Sequence, residues 1–259
     1  MTKRLAVFAY GVASYAACLL VFLYAVGFVG NFYVPRSLDA AARVPFTHAL
    51  MIDVLLLAAF AVQHSVMARP AFKRLLTRFI PEAAERSTYV WASNLALIAL
   101  FAWWQPMGGT IWNVTSPVAA DVISSVFFLG FGLVLIATLL INHFDLFGLR
   151  QVWLYLVGKP YTQLEFRTPL FYRYVRHPLY IGWLMFFWAT PVMTGAHLLF
   201  AVMTTAYILM AIRWEERDLV AVHGEHYENY RKRVPKLIPS FVAYRGLEEP
   251  IVISQRKAA

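Results

Sequence analysis

The sequence has few charged residues and almost no cysteine. Of its 259 residues, 14% are charged and 60% are hydrophobic, which leaves too little polar surface to cover a soluble globule of this size. The one cysteine, Cys18, lies within an apolar run, which excludes a disulfide framework and a cysteine-based metal site within the chain. The simplest interpretation is a protein whose exterior faces lipid.

The net charge is strongly positive, at +9. A basic balance alone could indicate a nucleic-acid partner, but the Lys and Arg residues lie in connections between apolar runs and near the C-terminus. That distribution is typical of cytoplasmic loops that face anionic lipid headgroups. We therefore expect the lipid bilayer as the partner of this charge, with no nucleic acid and no protein partner evident.

Apolar runs of membrane-spanning length predict the fold. About 20 helical residues cross a hydrocarbon core of ~30 Å. Four runs reach this length, at 5–29, 46–68, 88–106 and 119–142, and two shorter runs at 179–194 and 197–212 predict a helical hairpin. Residues 213–240, ended by two prolines, predict an amphipathic helix at the membrane interface. The predicted fold class is an all-α polytopic membrane bundle with five to six membrane helices, in a single domain over 1–259.

The basic residues alternate between connections. Connections 69–87 and 143–178 are rich in Lys and Arg, whereas 107–118 has none. The positive-inside rule then predicts that both termini and these two basic connections are cytoplasmic. The basic C-terminal tail, which includes Arg256 and Lys257, supports the same orientation. We expect any active site to face the cytoplasm.

The connection after the fourth run carries dense polar side chains, among them His143, Asp145 and Arg150, and it ends in the sequence YRYVRHPLYIG at 172–182. Pro178 suits the first turn of a helix, which places His177 where backbone N–H groups can hold an anion. A short hairpin returns the chain to its starting side, so Glu215 or Glu216 can approach His177 and Tyr180. The alternatives are a solvated loop with snorkelling arginines and a helix end with Glu–Arg pairs.

These ordered elements resemble the isoprenylcysteine carboxyl methyltransferase and phospholipid N-methyltransferase group of membrane enzymes. The matches are YRYVRHPLYIG, the hairpin, Glu215-Glu216, and the segment from Gly224 to Pro235. The resemblance implies S-adenosylmethionine bound at the cytoplasmic face by residues 142–240. Carried over by position, the cofactor residues are Leu164, Glu165, Phe166, Arg167, Tyr172, His177, Pro178, Leu179, Tyr180 and Glu215.

Two positions depart from that group. Leu170 stands where the family often has glycine, so the backbone before Tyr172 is expected to differ. Ala211 stands where the carboxyl methyltransferases have the Arg that holds the substrate carboxylate. Arg213 lies two residues further on, about 200° around a helix. Ala211 therefore shifts the expected acceptor away from a carboxylate.

The N-terminal half and the polar connection resemble the bacterial methanethiol S-methyltransferases. The matching segments are NFYVPRSLD at 31–39, QHS at 63–65 and NHFDLFGLRQ at 142–151. This resemblance covers nearly the whole length. It implies methyl transfer from S-adenosylmethionine to methanethiol, with dimethyl sulfide and S-adenosylhomocysteine as products, in an integral protein of the bacterial inner membrane.

A thiol acceptor needs a group that removes its proton. A cysteine-type thiol has a pKa of about 8.5, and the thiolate is the nucleophile. The candidates are His64, because ionisable groups inside membrane helices are costly, and the pair His143 and Asp145, which begins the connection on the same side. A structural histidine bonded to a carbonyl or to water is the alternative for each.

Other functions remain open at this point. The chain could methylate a lipid, an amine or an isoprenylcysteine carboxylate, or it could be a non-enzymatic scaffold or haem-binding subunit with His64 and His143 on the iron. The histidines form no HxxxH or HExxH pattern, so no metal site is predicted.

Overall fold

The structure is a computed structural model that describes residues 1–245. Arg256 and Lys257 of the predicted basic tail lie outside the described residues. Within 1–245 the chain forms ten α-helices and one pair of short strands. The helices are α1 (Thr2–Gly30), α2 (Phe46–Met67), α3 (Pro70–Leu76), α4 (Glu85–Trp103), α5 (Pro117–Ile141), α6 (His143–Leu146), α7 (Leu149–Leu156), α8 (Pro178–Trp188), α9 (Gly195–His223) and α10 (Glu225–Arg233), and the strands are β1 (Thr110–Asn113) and β2 (Val192–Thr194).

Four helices in the described part of the chain are long and apolar enough to cross a membrane, namely α1, α2, α5 and α9. The predicted all-α polytopic bundle is confirmed, but the set of long spans differs by one member. The run at 88–106 corresponds to α4, which has 19 residues and begins with the polar segment Glu85–Thr88. The fourth long apolar helix is α9 instead.

The two arms of the predicted hairpin differ in length. Helix α8 has 11 residues, about 16 Å at 1.5 Å per residue, which is too short to cross the hydrocarbon core. It ends before Pro191, since the residue preceding a proline avoids helical geometry. Strand β2 then pairs antiparallel with β1, a contact that the sequence did not predict.

The prediction of one amphipathic helix over 213–240 is wrong. Residues up to His223 continue α9, which is 29 residues long. Gly224, with φ of 55°, ends this helix, and α10 covers only Glu225–Arg233. The charged segment Arg213–Asp218 extends the helix because charged side chains at a helix end are solvated and favour helical geometry. The break between α9 and α10 occurs at Gly224 because glycine adopts a positive φ without a steric penalty.

Helices α5 and α8 pack with their backbones in close approach. A Cβ atom added to Gly130 would lie 2.8 Å from the Gly182 carbonyl oxygen, and one added to Gly182 would lie 2.8 Å from the Gly130 oxygen. The two glycines therefore let the short helix α8 lie directly against the long helix α5. Helix α8 carries His177 and Tyr180 at its beginning, so this contact sets the position of the motif.

An aromatic core and a polar network stabilise the end of the bundle where α1 and α4 end and α9 begins. Phe28, Phe101, Phe127, Phe186 and Phe200 belong to one buried cluster. Beside it, the His197 ring contacts the Asp39 carboxylate and the Phe187 carbonyl, each at 2.9 Å. This bridge ties the loop after α1 to both arms of the hairpin. The functional cavity lies at the other end.

Candidate functional site

A cavity of about 780 Å³ lies at the end of the bundle where α5 and α9 end. Its walls come from the end of α5, the start of α6, residues 162–167, the turn before α8, and α9 with α10. This volume falls within the range of about 300–1,000 Å³ typical of small-molecule and cofactor sites. All of the predicted cofactor residues except Pro178 line it, namely Leu164, Glu165, Phe166, Arg167, Tyr172, His177, Leu179, Tyr180 and Glu215. Pro178 is the buried first residue of α8.

Two consecutive carboxylates on α9 have different environments. The Glu215 side chain lines the cavity, is 46% exposed, and accepts a hydrogen bond from the Tyr180 hydroxyl at 2.9 Å. The Glu216 side chain is 9% exposed, forms an ion pair with Arg176 at 3.2 Å and accepts a hydrogen bond from His177 Nε2 at 3.0 Å. Successive helical residues point about 100° apart. Glu215 is therefore the cavity carboxylate, while Glu216 lies behind the wall.

The segment after α9 holds the motif backbone in place. The backbone N–H groups of Arg176 and His177 donate to the carbonyls of Pro235 (3.0 Å) and Lys236 (3.3 Å). The Tyr230 hydroxyl donates to the Tyr172 carbonyl at 2.6 Å. Burial raises the pKa of Tyr230, which keeps its hydroxyl protonated as a donor. The C-terminal residues thus contribute to the shape of the cavity.

Residues 159–169, called the strap below, cross one side of the cavity without regular secondary structure. Arg150 donates to the Thr162 carbonyl at 2.9 Å and to its hydroxyl at 2.7 Å. The Asp145 carboxylate in turn accepts from Arg150 at 2.9 Å and from the Tyr161 hydroxyl at 3.2 Å. Further along, the Phe166 ring packs against the Tyr227 and Tyr230 rings at 5.6 and 5.4 Å. The strap is held at two points.

His143 lines the cavity, but both of its ring nitrogens have partners. Nδ1 lies 2.8 Å from the Thr138 hydroxyl, which itself donates to the Leu135 carbonyl at 2.7 Å. The Thr138 oxygen must therefore accept the Nδ1 hydrogen, which leaves Nε2 to accept from the Tyr15 hydroxyl at 2.8 Å. Burial lowers the pKa of His143, so the ring is neutral at pH 7.

His64 and Asp145 do not line this cavity. His64 lies among the membrane helices, with Nε2 at 2.7 Å from the Tyr89 hydroxyl and Nδ1 at 3.1 Å from the Ser93 hydroxyl. Both oxygens of Asp145 accept hydrogen bonds, as described above. The structure therefore does not bring the three candidate bases into one pocket, and only His143 reaches it.

Several cavity residues were not among the sequence predictions. They include Thr162 and Gln163 of the strap, together with Arg150, Arg176, Leu219, His223, Tyr227 and Tyr230. Tyr227 and Tyr230 lie in the segment that carried the resemblance, and Arg150 lies in the matched segment 142–151. The signal was therefore present, but the sequence did not indicate which side chains face inward.

The cavity offers polar groups without partners as well as aromatic surface. The buried Nε of Arg176 has no hydrogen-bond partner in the described part of the chain. Glu215 uses one carboxylate oxygen for Tyr180, and the Phe166 and His223 rings lie 5.2 Å apart, tilted by 42°. Guanidinium groups suit a carboxylate, a glutamate suits an ammonium or hydroxyl group, and aromatic rings suit a planar base. The set fits a ligand that combines these groups.

Curated relatives align with nearly the whole chain. A methanethiol S-methyltransferase of Crocosphaera subtropica is 58% identical over 237 residues, which cover 92% of this chain and 93% of the relative. A methanethiol S-methyltransferase of Mycobacterium tuberculosis is 50% identical, with 92% and 97% covered. Methanethiol S-methyltransferase 2 of Bradyrhizobium diazoefficiens is 49% identical, with 96% of each chain covered. No family model matches the chain, and no solved structure matches it.

Proposed function

The chain belongs to the methanethiol S-methyltransferase family, and we propose that it transfers the methyl group of S-adenosylmethionine to methanethiol in the cavity described above. The products are dimethyl sulfide and S-adenosylhomocysteine. Identity of 49–58% over more than nine-tenths of the chain is the observation that carries this conclusion. The cavity supports it, since it collects residues that the family resemblance assigned to the cofactor.

The donor set of the cavity suits S-adenosylmethionine. Arg150, Arg167 and Arg176 line the cavity and provide cationic donors for the carboxylate of the methionine part. Glu215 provides an acceptor for the ammonium or ribose hydroxyl groups, and Phe166 provides a ring for the adenine. When bound, the sulfonium supplies an electrophilic methyl group. The protein must then orient the thiol and accept its proton.

The wall nearest α5 suits a small apolar acceptor. It consists of Leu139, Leu140, Ile141, Phe144 and Leu179, interrupted by His143 and Asn142. A methyl thiol has no group that needs a cation, and Ala211 occupies the position where the carboxyl methyltransferases of the resemblance have arginine. These features favour methanethiol over an isoprenylcysteine carboxylate. They also give no binding group for a phosphorylated lipid headgroup on this wall.

The orientation in the membrane follows from the same end of the bundle. The strap begins beside the N-terminus of α1, where a Cβ added to Gly158 would lie 2.8 Å from an Arg4 nitrogen. The basic residues Lys73, Arg74 and Arg78 follow α2, which ends on this side. Arg69 pairs with Asp218 of α9 at 3.5 Å. We place this basic end, and the cavity with it, on the cytoplasmic side of a bacterial inner membrane.

Purified protein in detergent tests the proposal against its rivals. With S-adenosylmethionine, we expect dimethyl sulfide in the headspace from methanethiol, and no methyl transfer to an isoprenylcysteine analogue or to phosphatidylethanolamine. Methyl transfer to one of those acceptors in place of the thiol would replace the substrate assignment. A Soret absorption band without binding of S-adenosylhomocysteine would instead support the non-enzymatic haem-binding subunit.

A further inference from the structure

The His177 ring has two distinct sides. Its Nε2 lies 3.0 Å from Glu216 Oε1, behind the cavity wall. Its Nδ1 lies 3.9 Å from Glu215 Oε2, and Glu215 lines the cavity. Because a carboxylate only accepts hydrogen bonds, Nε2 carries a hydrogen. In the neutral ring the lone pair is then on Nδ1, the nitrogen on the cavity side.

This arrangement has the geometry of a carboxylate-oriented general base. A buried carboxylate that holds one ring nitrogen fixes the tautomer and the orientation of the imidazole, and it stabilises the imidazolium that forms. The His177 side chain is 4% exposed and the Glu216 side chain 9%, so the pair does not rotate freely. Glu216 is held in turn by Arg176 at 3.2 Å.

The other histidines at this end of the bundle lack either a free ring nitrogen or a carboxylate beside the ring. In His64 and His143, hydroxyl groups contact both ring nitrogens at 2.7–3.1 Å. His223 also lines the cavity, with its ring packed on Phe166, but no carboxylate of the described residues lies within 4 Å of its ring nitrogens. His177 is therefore the cavity histidine with a carboxylate on one nitrogen and the cavity on the other.

We infer that His177, rather than the three residues expected from the sequence, takes the proton of the thiol, with Glu216 as its positioning residue. This inference rests on the proposed function. The S–H bond breaks and its proton goes to His177 Nδ1. The sulfur electron pair forms the new C–S bond to the transferred methyl group, and the C–S bond of the sulfonium breaks with its pair left on the departing sulfur. The imidazolium lies between Glu215 and Glu216 until it releases its proton to solvent.

The pH dependence of this base includes the charged and titratable groups around it. Helix α9 contributes Glu215 and Glu216, and the turn before α8 and α8 itself contribute Arg176 and Tyr180. Helix α10 and the segment after it contribute Tyr227 and Lys236. The ionisation seen in kinetics belongs to this group as a whole.

The test is the pH–rate profile for dimethyl sulfide formation by wild-type protein and by His177→Gln, with saturating methyl donor. The wild-type rate should rise tenfold per pH unit and then level off well below the pKa of methanethiol. The variant should be slower at pH 7 by about 100-fold or more, and its deficit should shrink as the pH rises because the thiol then ionises without help. Thermal unfolding in detergent, compared with that of the wild type, verifies that the variant is folded.

Matched variants separate chemistry from structure. His226→Gln removes an exposed histidine of α10 that does not line the cavity, and its profile should equal that of the wild type. Glu216→Gln removes the negative charge beside His177, so the acid limb should move to lower pH and the plateau should fall. A purely structural role for Glu216 would lower the rate without moving the limb.

Two results would overturn the inference. One is a deficit of His177→Gln that stays constant across the pH range. The other requires only the wild type: a rate that climbs with pH up to the pKa of the thiol, with no earlier plateau, means that no protein base acts. Failure of the proposed function would look different, as absence of dimethyl sulfide from the wild type at every pH.

Discussion

Glu215 and Glu216 are adjacent in sequence, yet the structure gives them separate tasks. Glu215 faces the cavity and holds Tyr180, whereas Glu216 lies behind the wall with Arg176 and His177. The sequence predicted that one of them would approach the turn, because the hairpin returns the chain to its starting side. The family resemblance selected Glu215, but the charged segment Arg213–Asp218 by itself does not show which of the two faces inward, because that depends on the rotation of α9.

Replacing Glu215 should weaken donor binding. In Glu215→Gln the cavity loses a charged acceptor, and a hydrogen bond to a charged group contributes roughly 1.5–3 kcal/mol. We expect the Kd for S-adenosylhomocysteine, measured by calorimetry, to rise by about 10-fold or more. Glu225→Gln, at the exposed start of α10, is the control and should bind as the wild type does. An unchanged Kd for Glu215→Gln would remove this carboxylate from the binding site.

Leu170 is the position where the resembling family often has glycine, and the structure shows why glycine suits it. Its φ is 40°, in the left-handed region, which costs a residue with a Cβ atom about 1–2 kcal/mol. The backbone before Tyr172 therefore keeps a glycine-like conformation despite the leucine. From the family resemblance we had expected a different backbone at this point.

The substitution Leu170→Gly should therefore stabilise the protein by roughly 0.5–1 kcal/mol, after the extra flexibility of glycine in the unfolded chain is included. Leu170 is 62% exposed, so little packing is lost. The matched control is Leu75→Gly in α3, a helical leucine that is 50% exposed; it should lower stability by about 1 kcal/mol. Thermal unfolding in detergent measures both. Equal destabilisation by the two substitutions would contradict the account.

The sequence predicted which long membrane helices exist, but it did not predict where all of them end. Apolar runs gave α1, α2 and α5 to within three residues at each end, because lipid demands length and apolarity. The length of α9 was underestimated, since the charged segment at Arg213 looks like an exit from the membrane and not like a continuing helix. Strands β1 and β2, of four and three residues, are too short for a sequence pattern to indicate them.

The hydrogen-bond partners of individual side chains could not be predicted from the sequence. Tyr15, Tyr89 and Ser93 occupy the nitrogens of His143 and His64, and they come from α1 and α4. Contacts between distant helices depend on helix rotation and packing. That the predicted cofactor residues share one cavity was easier to expect, because most of them lie within one contiguous motif and the strap before it.

The contact between α5 and α8 positions the turn that carries His177. A methyl group at Gly130 would lie 2.7 Å from the Phe186 backbone nitrogen, whereas nothing lies within 4 Å of one at Gly132, on the same helix. We expect Gly130→Ala to reduce stability by about 1–3 kcal/mol and to lower dimethyl sulfide formation, while Gly132→Ala leaves both unchanged or slightly improved. Thermal unfolding and headspace assays measure the pair. Identical behaviour of the two variants would mean that α8 is not held by this contact.

At the scale of the whole molecule, the proposed orientation places the strap and the β1–β2 pair on opposite sides of the membrane. In a Cys18→Ala background, cysteine at Thr115 should react with a membrane-impermeant maleimide in intact cells. Cysteine at Lys159 should react only after the cells are opened. Both positions are exposed in the structure. The reverse pattern would invert the orientation and place the cavity outside the cytoplasm.

Methyl transfer from S-adenosylmethionine to methanethiol is the reaction that we propose for this chain. The most direct measurement supplies purified protein with methanethiol and a donor whose methyl group carries three deuterium atoms, and follows the headspace by mass spectrometry. We expect dimethyl sulfide with one labelled methyl group, formed in a one-to-one ratio with S-adenosylhomocysteine. Dimethyl sulfide without the label, or S-adenosylhomocysteine formed without labelled dimethyl sulfide, would contradict it.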